Sequence, residues 1–246
     1  MTRKPDVMFD LGGTLLDLRP LLGAFAEVLV ERTGVPPRHA LRISRRCALE
    51  TADALRRAQG RRFLPSHEIS ARVVARVLKD FDLRVAMKRS RTLVRKAWTT
   101  YTDRAELCAD VDRRLLRSVR RASNAVGLLT DADVRDVGRI LRGLRLRPYF
   151  DSVTISEEVG AYKPHPRIYE AALESLDAAP ERTLFVSDSA ADLRGAAALG
   201  IATAHVRRDF DTGGGRLPAR TIRLRDLQEV RAIVRRFPHV GRFRRV

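Results

Sequence analysis

Four residues in this 246-residue sequence have the types and positions to do chemistry together: Asp10, Thr130, Lys163 and Asp188. Asp10, Thr130 and Asp188 each follow a short apolar run, and Lys163 lies in the loop Gly160-Ala161-Tyr162-Lys163-Pro164-His165-Pro166 ahead of a helical stretch. Carboxylates hold a hard cation such as Mg²⁺, which keeps part of its water and binds substrate phosphate. A fixed ammonium and a hydroxyl can take up the charge of a transferring phosphoryl group, and one carboxylate can serve as a nucleophile. An Asp at a strand end is commonly just a turn former or helix cap. The four acquire a shared meaning only if the fold brings them to one edge.

The hydrophobic pattern supplies such an edge. Val7-Met8-Phe9 is an apolar run that ends at Asp10 and the breaker pair Gly12-Gly13, which reads as a buried strand emptying into a tight turn. From Leu18 to about Tyr101 the rhythm is that of amphipathic helices. The first has Leu21, Phe25, Val28 and Leu29 on one face and is closed by Gly34. The second spans Arg38–Ala58, the third Glu68–Phe81 with Ser66 as its cap, and the fourth Ala86–Tyr101. Beyond Asp103, helices (Val111–Arg121, Asp133–Gly143, Arg167–Leu176, Asp192–Leu199) alternate with short apolar runs (Ala125–Leu129, Ser152–Ile155, Thr183–Val186, Ile201–His205). Thr221–Ile222 and Leu227–Val234 read as a last strand and helix, Gly213–Gly215 as a turn, and the basic stretch from Pro238 as a loose tail. This alternation predicts right-handed βαβ units on a parallel sheet. The expected fold is α/β, with a Rossmann-like core from residues 1–17 and 104–246 and an inserted helical-bundle cap over 18–103. In an open parallel sheet the site lies beyond the C-terminal strand ends, where the three strand-end residues fall.

Composition narrows the function classes. The chain is 44% apolar and 32% charged, which excludes wholesale disorder, and no apolar run approaches the ~20 residues of a membrane helix. Cys47 and Cys108 cannot form a disulfide framework, so reduced thiols and a cytoplasmic location are expected. The net charge of +18 suits a nucleic-acid binder. It is, however, spread along the chain in Arg pairs of the kind that mark solvated helix faces. With 43 Arg and 5 Lys the skew has a compositional character, and the expected partner is a small anionic substrate rather than nucleic acid or membrane. Segment 18–103 has 19 basic and 8 acidic residues, and its many arginines suggest an anion.

The sequence resembles the haloacid dehalogenase (HAD) superfamily at four ordered motifs. These are Phe9-Asp10-Leu11-Gly12-Gly13-Thr14-Leu15-Leu16-Asp17; Leu128-Leu129-Thr130-Asp131; Gly160 to Pro166 with Ile168 to Leu173; and Phe185-Val186-Ser187-Asp188-Ser189-Ala190-Ala191-Asp192 with Gly195-Ala196. The resemblance covers about residues 7–234 and implies subfamily I, with a helical type I cap inserted after the first motif. It implies that Asp10 attacks phosphorus and becomes an aspartyl phosphate. Thr130 would bond the phosphoryl oxygens and Lys163 would neutralise their charge. Asp10, the Gly12 carbonyl, Asp188 and Asp192 would surround Mg²⁺. Asp17 is read as a hinge residue, and Asp131, where the family often has Asn, is left unassigned.

One departure bears on mechanism. Family phosphatases place a second Asp two residues after the nucleophile to protonate the leaving oxygen, and here that residue is Gly12. Loss of a general acid costs ~10²–10⁴-fold for a poor leaving group and less for an acyl phosphate. Three readings follow. The first is a Mg²⁺-dependent phosphatase of a small phosphorylated metabolite, with His39, His67 or Glu68 as a borrowed acid. The second is a hydrolase of another bond. Dehalogenases usually lack an Asp188 equivalent, and phosphonatases need a cap lysine, for which Lys79, Lys88 and Lys96 lie in the right region but in no matching motif. The third is a catalytically weak or silent protein that binds a phosphorylated ligand or a protein partner.

Overall fold

The computed structural model describes residues 4–58, 62–208 and 215–240. Its centre is a six-stranded parallel sheet: β1 (Asp6–Phe9), β2 (Val126–Thr130), β3 (Ser152–Ile155), β4 (Thr183–Ser187), β5 (Ala202–Val206) and β6 (Ile222–Leu224), in the order β3-β2-β1-β4-β5-β6. The chain builds outward from β1 in both directions, so the order reverses between β1 and β4. At that reversal the loops leave on opposite sides and open a crevice at the C-terminal strand ends.

Both faces of the sheet are covered, which is why its strands read as continuous apolar runs rather than alternating ones. Val7, Phe9, Leu128, Leu184 and Val186 pack on one side with α5 (Arg113–Ala122), α6 (Val134–Gly143) and α10 (Val230–Val240). Met8, Leu129 and Phe185 point the other way into a core with Ile168 and Tyr169 of α8 (Pro166–Leu176) and Leu193 of α9 (Ala190–Ala198). A single turn, α7 (Ser156–Val159), links β3 towards α8.

Residues 18–103 form four helices with a core of their own: α1 (Arg19–Thr33), α2 (Pro37–Arg57), α3 (Ser66–Lys79) and α4 (Met87–Asp103). Phe25, Val28, Leu29, Ile43, Val73, Val77, Leu78 and Leu93 interlock there. Each such side chain contributes about 1.5–3 kcal/mol by leaving water. Gly34, in the left-handed region at φ 70° where glycine meets no Cβ penalty, ends α1 with its N–H on the Val30 carbonyl. The two chain crossings between this bundle and the sheet run side by side. Leu16 pairs antiparallel with Leu107, Asp17 N donates to Glu106 O, and the Tyr101 hydroxyl donates to Asp17 O.

The third helix corrects the sequence reading at its start. Ser66 does not cap it: Ser66 N and His67 N both donate to the Asp133 carboxylate, at 2.7 and 3.1 Å, so the cap comes from the loop before α6. A borrowed carboxylate satisfies two orphan donors at once and complements the helix dipole. The last helix also runs longer than the periodicity implied. It continues through Pro238 to Val240; the remaining tail and Gly213-Gly214 of the expected turn lie outside the described residues. No described helix is long and apolar enough to cross a membrane.

Candidate active site

The reversal in strand order sets Asp10, at the end of β1, beside Asp188, at the end of β4. Asp10 is almost fully buried. Its Oδ1 accepts from the Leu11 N–H (2.7 Å) and lies 2.7 Å from Lys163 Nζ, while Oδ2 accepts a longer bond from Ser187 Oγ (3.2 Å). Burial raises the Asp10 pKa and the Lys163 charge works against that rise. Lys163 also reaches Asp192 Oδ2 at 2.9 Å. Burial disfavours its charge, but Asp10, Asp192 and Asp131 outweigh that penalty, so it is held as an ammonium well above the ordinary lysine range.

The loop after Asp10 fits against Asp188. Leu15 and Leu16 N–H groups close on the Leu11 carbonyl, and Gly13 takes φ 78°. A Cβ on Gly13 would stand 2.4 Å from Asp188 Oδ2, so only glycine lets this carboxylate lie over the loop. Thr14 ties the two together: its hydroxyl donates to Asp188 Oδ1 (2.8 Å) and accepts from Asp188 N (3.0 Å). Arg208 donates to the carbonyls of Gly13 and Thr14 from behind and pairs with Asp110 at 2.9 Å. Burial and the charge of Asp10 push Asp188 up to about 7.

Thr130, at the end of β2, and Asp131 complete the floor of the same cavity, which Gly12 also lines. Asp131 Oδ1 accepts from Lys163 N at 3.0 Å, and burial pushes this carboxyl up to about 8. Gly195 is needed a layer below, where a Cβ would meet Pro164 and Tyr169 within 2.8 Å, so α9 can press the Lys163 loop into place.

The structure thus brings Asp10, Gly12, Thr130, Lys163, Asp188 and Asp192 to one cavity. Asp192 is committed differently from the rest, with Oδ2 on Lys163 and Oδ1 taking the Ser189 hydroxyl at 3.0 Å. Among the described residues no three His, Cys, Asp or Glu side chains form a metal-holding group. The donors that fit a hard divalent cation are the carboxylates of Asp10 and Asp188 with the Gly12 backbone carbonyl. Asp188 is cradled where a side chain on Gly13 would exclude it.

Other candidates are placed elsewhere. Lys79 and Lys88 are exposed and Lys96 pairs with Glu31 at 2.6 Å, so none of the three lysines lines the cavity and a Schiff-base role has no residue. Glu68 is held by Arg72 and Arg91, and His67 by Asp136 at 2.6 Å; neither they nor His39 line it. The roles of Thr14 and Ser187 were missed in the sequence. Ser189, three residues past the end of an apolar run and three before Asp192, had the S-x-x-D spacing of a helix cap, and its hydroxyl does accept from Asp192 N.

Comparison with known proteins agrees with this architecture. A sequence model of the haloacid dehalogenase-like hydrolases matches residues 7–200. A phosphorylated carbohydrates phosphatase from Thermotoga maritima is 27% identical over 202 residues, 79% of this chain and 81% of its own length. A glyceraldehyde 3-phosphate phosphatase from Pyrococcus furiosus is 33% identical over 93 residues, and there the match spans only 38% of the relative. Two solved structures share the fold. One is L-2-haloacid dehalogenase from Xanthobacter autotrophicus (TM-score 0.75, 19% identity, 94% of this chain and 98% of that one). The other is the magnesium-bound HAD-hydrolase YfnB from Bacillus subtilis (TM-score 0.76, 21% identity, 95% and 99%). With a parallel sheet that sets an aspartate against a lysine and a second aspartate, and a family match over most of its length, this chain belongs to the haloacid dehalogenase-like hydrolases.

Proposed function

We propose that the protein is a Mg²⁺-dependent phosphatase that works through an aspartyl phosphate on Asp10, with 18–103 as the cap over its site. The observation that supports this most is the pairing of Asp10 with both Lys163 and a buried Asp188. A nucleophilic carboxylate needs a cation to approach a phosphoryl dianion, and a second buried carboxylate beside it calls for another. The phosphatase named among the relatives points the same way.

Of the two Asp10 oxygens, Oδ1 is held by two short donors and Oδ2 by one long one, so Oδ2 is the freer to attack. The Oδ2–P bond forms as the P–O bond to the leaving group breaks, and the electron pair departs on the leaving oxygen. The Lys163 ammonium and the Thr130 hydroxyl meet the charge gathering on the phosphoryl oxygens. Water then attacks phosphorus, the P–Oδ2 bond breaks to restore the Asp10 carboxylate, and inorganic phosphate departs carrying the water's oxygen, its protons shared between that phosphate and the earlier leaving oxygen. Asp10, Asp188 and the Gly12 carbonyl would hold Mg²⁺, which when bound supplies charge neutralisation to the phosphoryl group. Asp192 acts through Lys163, fixing its ammonium between two carboxylates.

The test is phosphate release from a panel of phosphomonoesters and acyl phosphates. Turnover should require Mg²⁺, stop with EDTA and be abolished in Asp10→Asn. Turnover that survives Asp10→Asn would remove the nucleophile and the proposal with it.

A further inference from the structure

The cavity above Asp10 has a volume of about 270 Å³ and two unlike halves. The floor is charged. The walls are mostly apolar: Leu22 and Phe25 of α1, Ala52 and Leu55 of α2, Val74 of α3 and Trp98 of α4 face it. On α2 the lining positions recur three or four residues apart, so one whole helical face is turned to the cavity, and its alanines leave room for a ligand. The arginines that give this segment its charge look outward. Arg46, Arg72, Arg76 and Arg91 pair with Glu50 and Glu68, and Arg56 is the one segment arginine that lines the cavity among the described residues. A hydroxyl-rich leaving group would bury polar atoms against carbon there and lose their water partners.

Gly12 adds an independent constraint. With no carboxyl at that position, and with the Asp131 carboxyl on the floor taken up by Lys163 N, the leaving oxygen departs with little protonation, which selects a weakly basic one. The carboxyl of Asp136 on the cavity wall is engaged by His67 at 2.6 Å.

Resting on the phosphatase reading, we propose that the substrate is a phosphate joined to an apolar, weakly basic leaving group, as in an aryl phosphate or the acyl phosphate of an apolar acid. The charged floor takes the phosphoryl group and the apolar walls take the body. This sets the chain apart, in what it accepts, from the relatives named as a phosphorylated carbohydrates phosphatase and a glyceraldehyde 3-phosphate phosphatase.

Two measurements test this. Trp98 is the only tryptophan and lies in the wall, so its fluorescence reports occupancy without turnover. With Mg²⁺ present, benzylphosphonate should bind about 10–100-fold more tightly than methylphosphonate, the worth of burying one ring. Ala52→Phe should erase most of that advantage, read as the ratio of the two phosphonates' affinities. Equal affinity for the two phosphonates would overturn the apolar half of the proposal.

The second is kcat/KM for matched aryl, acyl, alkyl and sugar phosphates, in wild type, Gly12→Asp and Asp131→Asn. Aryl or acyl phosphates should exceed alkyl phosphates of equal size by ~10² or more in wild type, and Gly12→Asp should narrow that gap. Whichever of the two leads identifies the source. Sugar phosphates leading would leave the phosphatase reading standing and overturn this one. A gap that is small in wild type and opens in Asp131→Asn would make Asp131 the acid and overturn the leaving-group half. Silence of wild type and Gly12→Asp toward every phosphate would sink the phosphatase reading and this inference together.

Discussion

Replacing Lys163 by Met isolates the electrostatics of the site from its shape. The substitution keeps the length and apolar stem but removes a charge whose Nζ lies 2.7 Å from Asp10 and 2.9 Å from Asp192, with the lysine side chain 2% exposed. Removing one partner of a buried pair leaves an uncompensated charge and costs about 3–5 kcal/mol. Here two carboxylates are left, so the upper part of that range is expected near neutral pH. For a chain of this size the loss corresponds to a fall in Tm of about 6–20 °C, at about 2–4 °C per kcal/mol. The deficit should depend on pH with a definite sign. In the variant, Asp10 loses the ammonium that works against its burial, so its folded-state pKa lies further above its unfolded value. The folded state then binds more protons than the unfolded, and stability falls as pH rises between the two values. The gap between wild type and variant should therefore be smallest near about pH 5 and largest near about pH 8. Thermal unfolding followed by circular dichroism across that range is the assay. A deficit below about 1 kcal/mol, or one that does not change with pH, would refute a site held together by the buried triad.

Three further outcomes follow from single positions. Gly12→Asp has room, since a Cβ there meets only Leu18 at 3.5 Å; it should fold as wild type by Tm and raise turnover of alkyl phosphates by ~10²-fold or more, and unchanged turnover would show that position 12 does not limit protonation. Gly13→Ala puts its Cβ onto Asp188 at a positive φ; urea titration should show a loss of about 1–3 kcal/mol, together with a weaker response of activity to Mg²⁺, whereas a neutral effect would mean the loop moves freely. His67 joins α3 to Asp136 of α6. Burial opposes its charge, but Asp136, Asp133 and Glu157 raise its pKa on balance. The stability it adds is fully present below the unfolded value near 6.5 and is lost as pH rises through the raised folded value. His67→Gln should thus cost more near about pH 6 than near about pH 9, and a cost independent of pH would mean that packing on Trp98, not charge, is what His67 supplies.

What the sequence made legible was whatever is encoded locally. The doubly covered strands announce themselves as apolar runs such as Val7-Met8-Phe9, and strand ends beside Gly12-Gly13 or before α9 mark where polar side chains emerge. Asp10, Thr130 and Asp188 were found this way and Lys163 from its loop ahead of a helix, and all four line one cavity. Long-range partnerships were not legible. Asp133 caps a helix 67 positions earlier, and Ser66, a good local cap, is superseded by it. Asp192 could be placed near the site but not turned to Lys163 rather than to Asp188. The arginines of 18–103 suggested an anionic substrate. Whether a helical arginine faces a site or solvent depends on which face packs, and Ala48 or Ala52 facing a cavity reads the same as an alanine facing a core.

The most direct test of the account is to find the phosphoryl group on the enzyme. Wild type mixed with 4-nitrophenyl phosphate and Mg²⁺, quenched in acid during turnover and digested, should yield a phosphorylated peptide whose label lies on Asp10 and is released by hydroxylamine. Label on another residue, or turnover with no labelled peptide and no loss of activity in Asp10→Asn, would contradict the claim that Asp10 is the nucleophile.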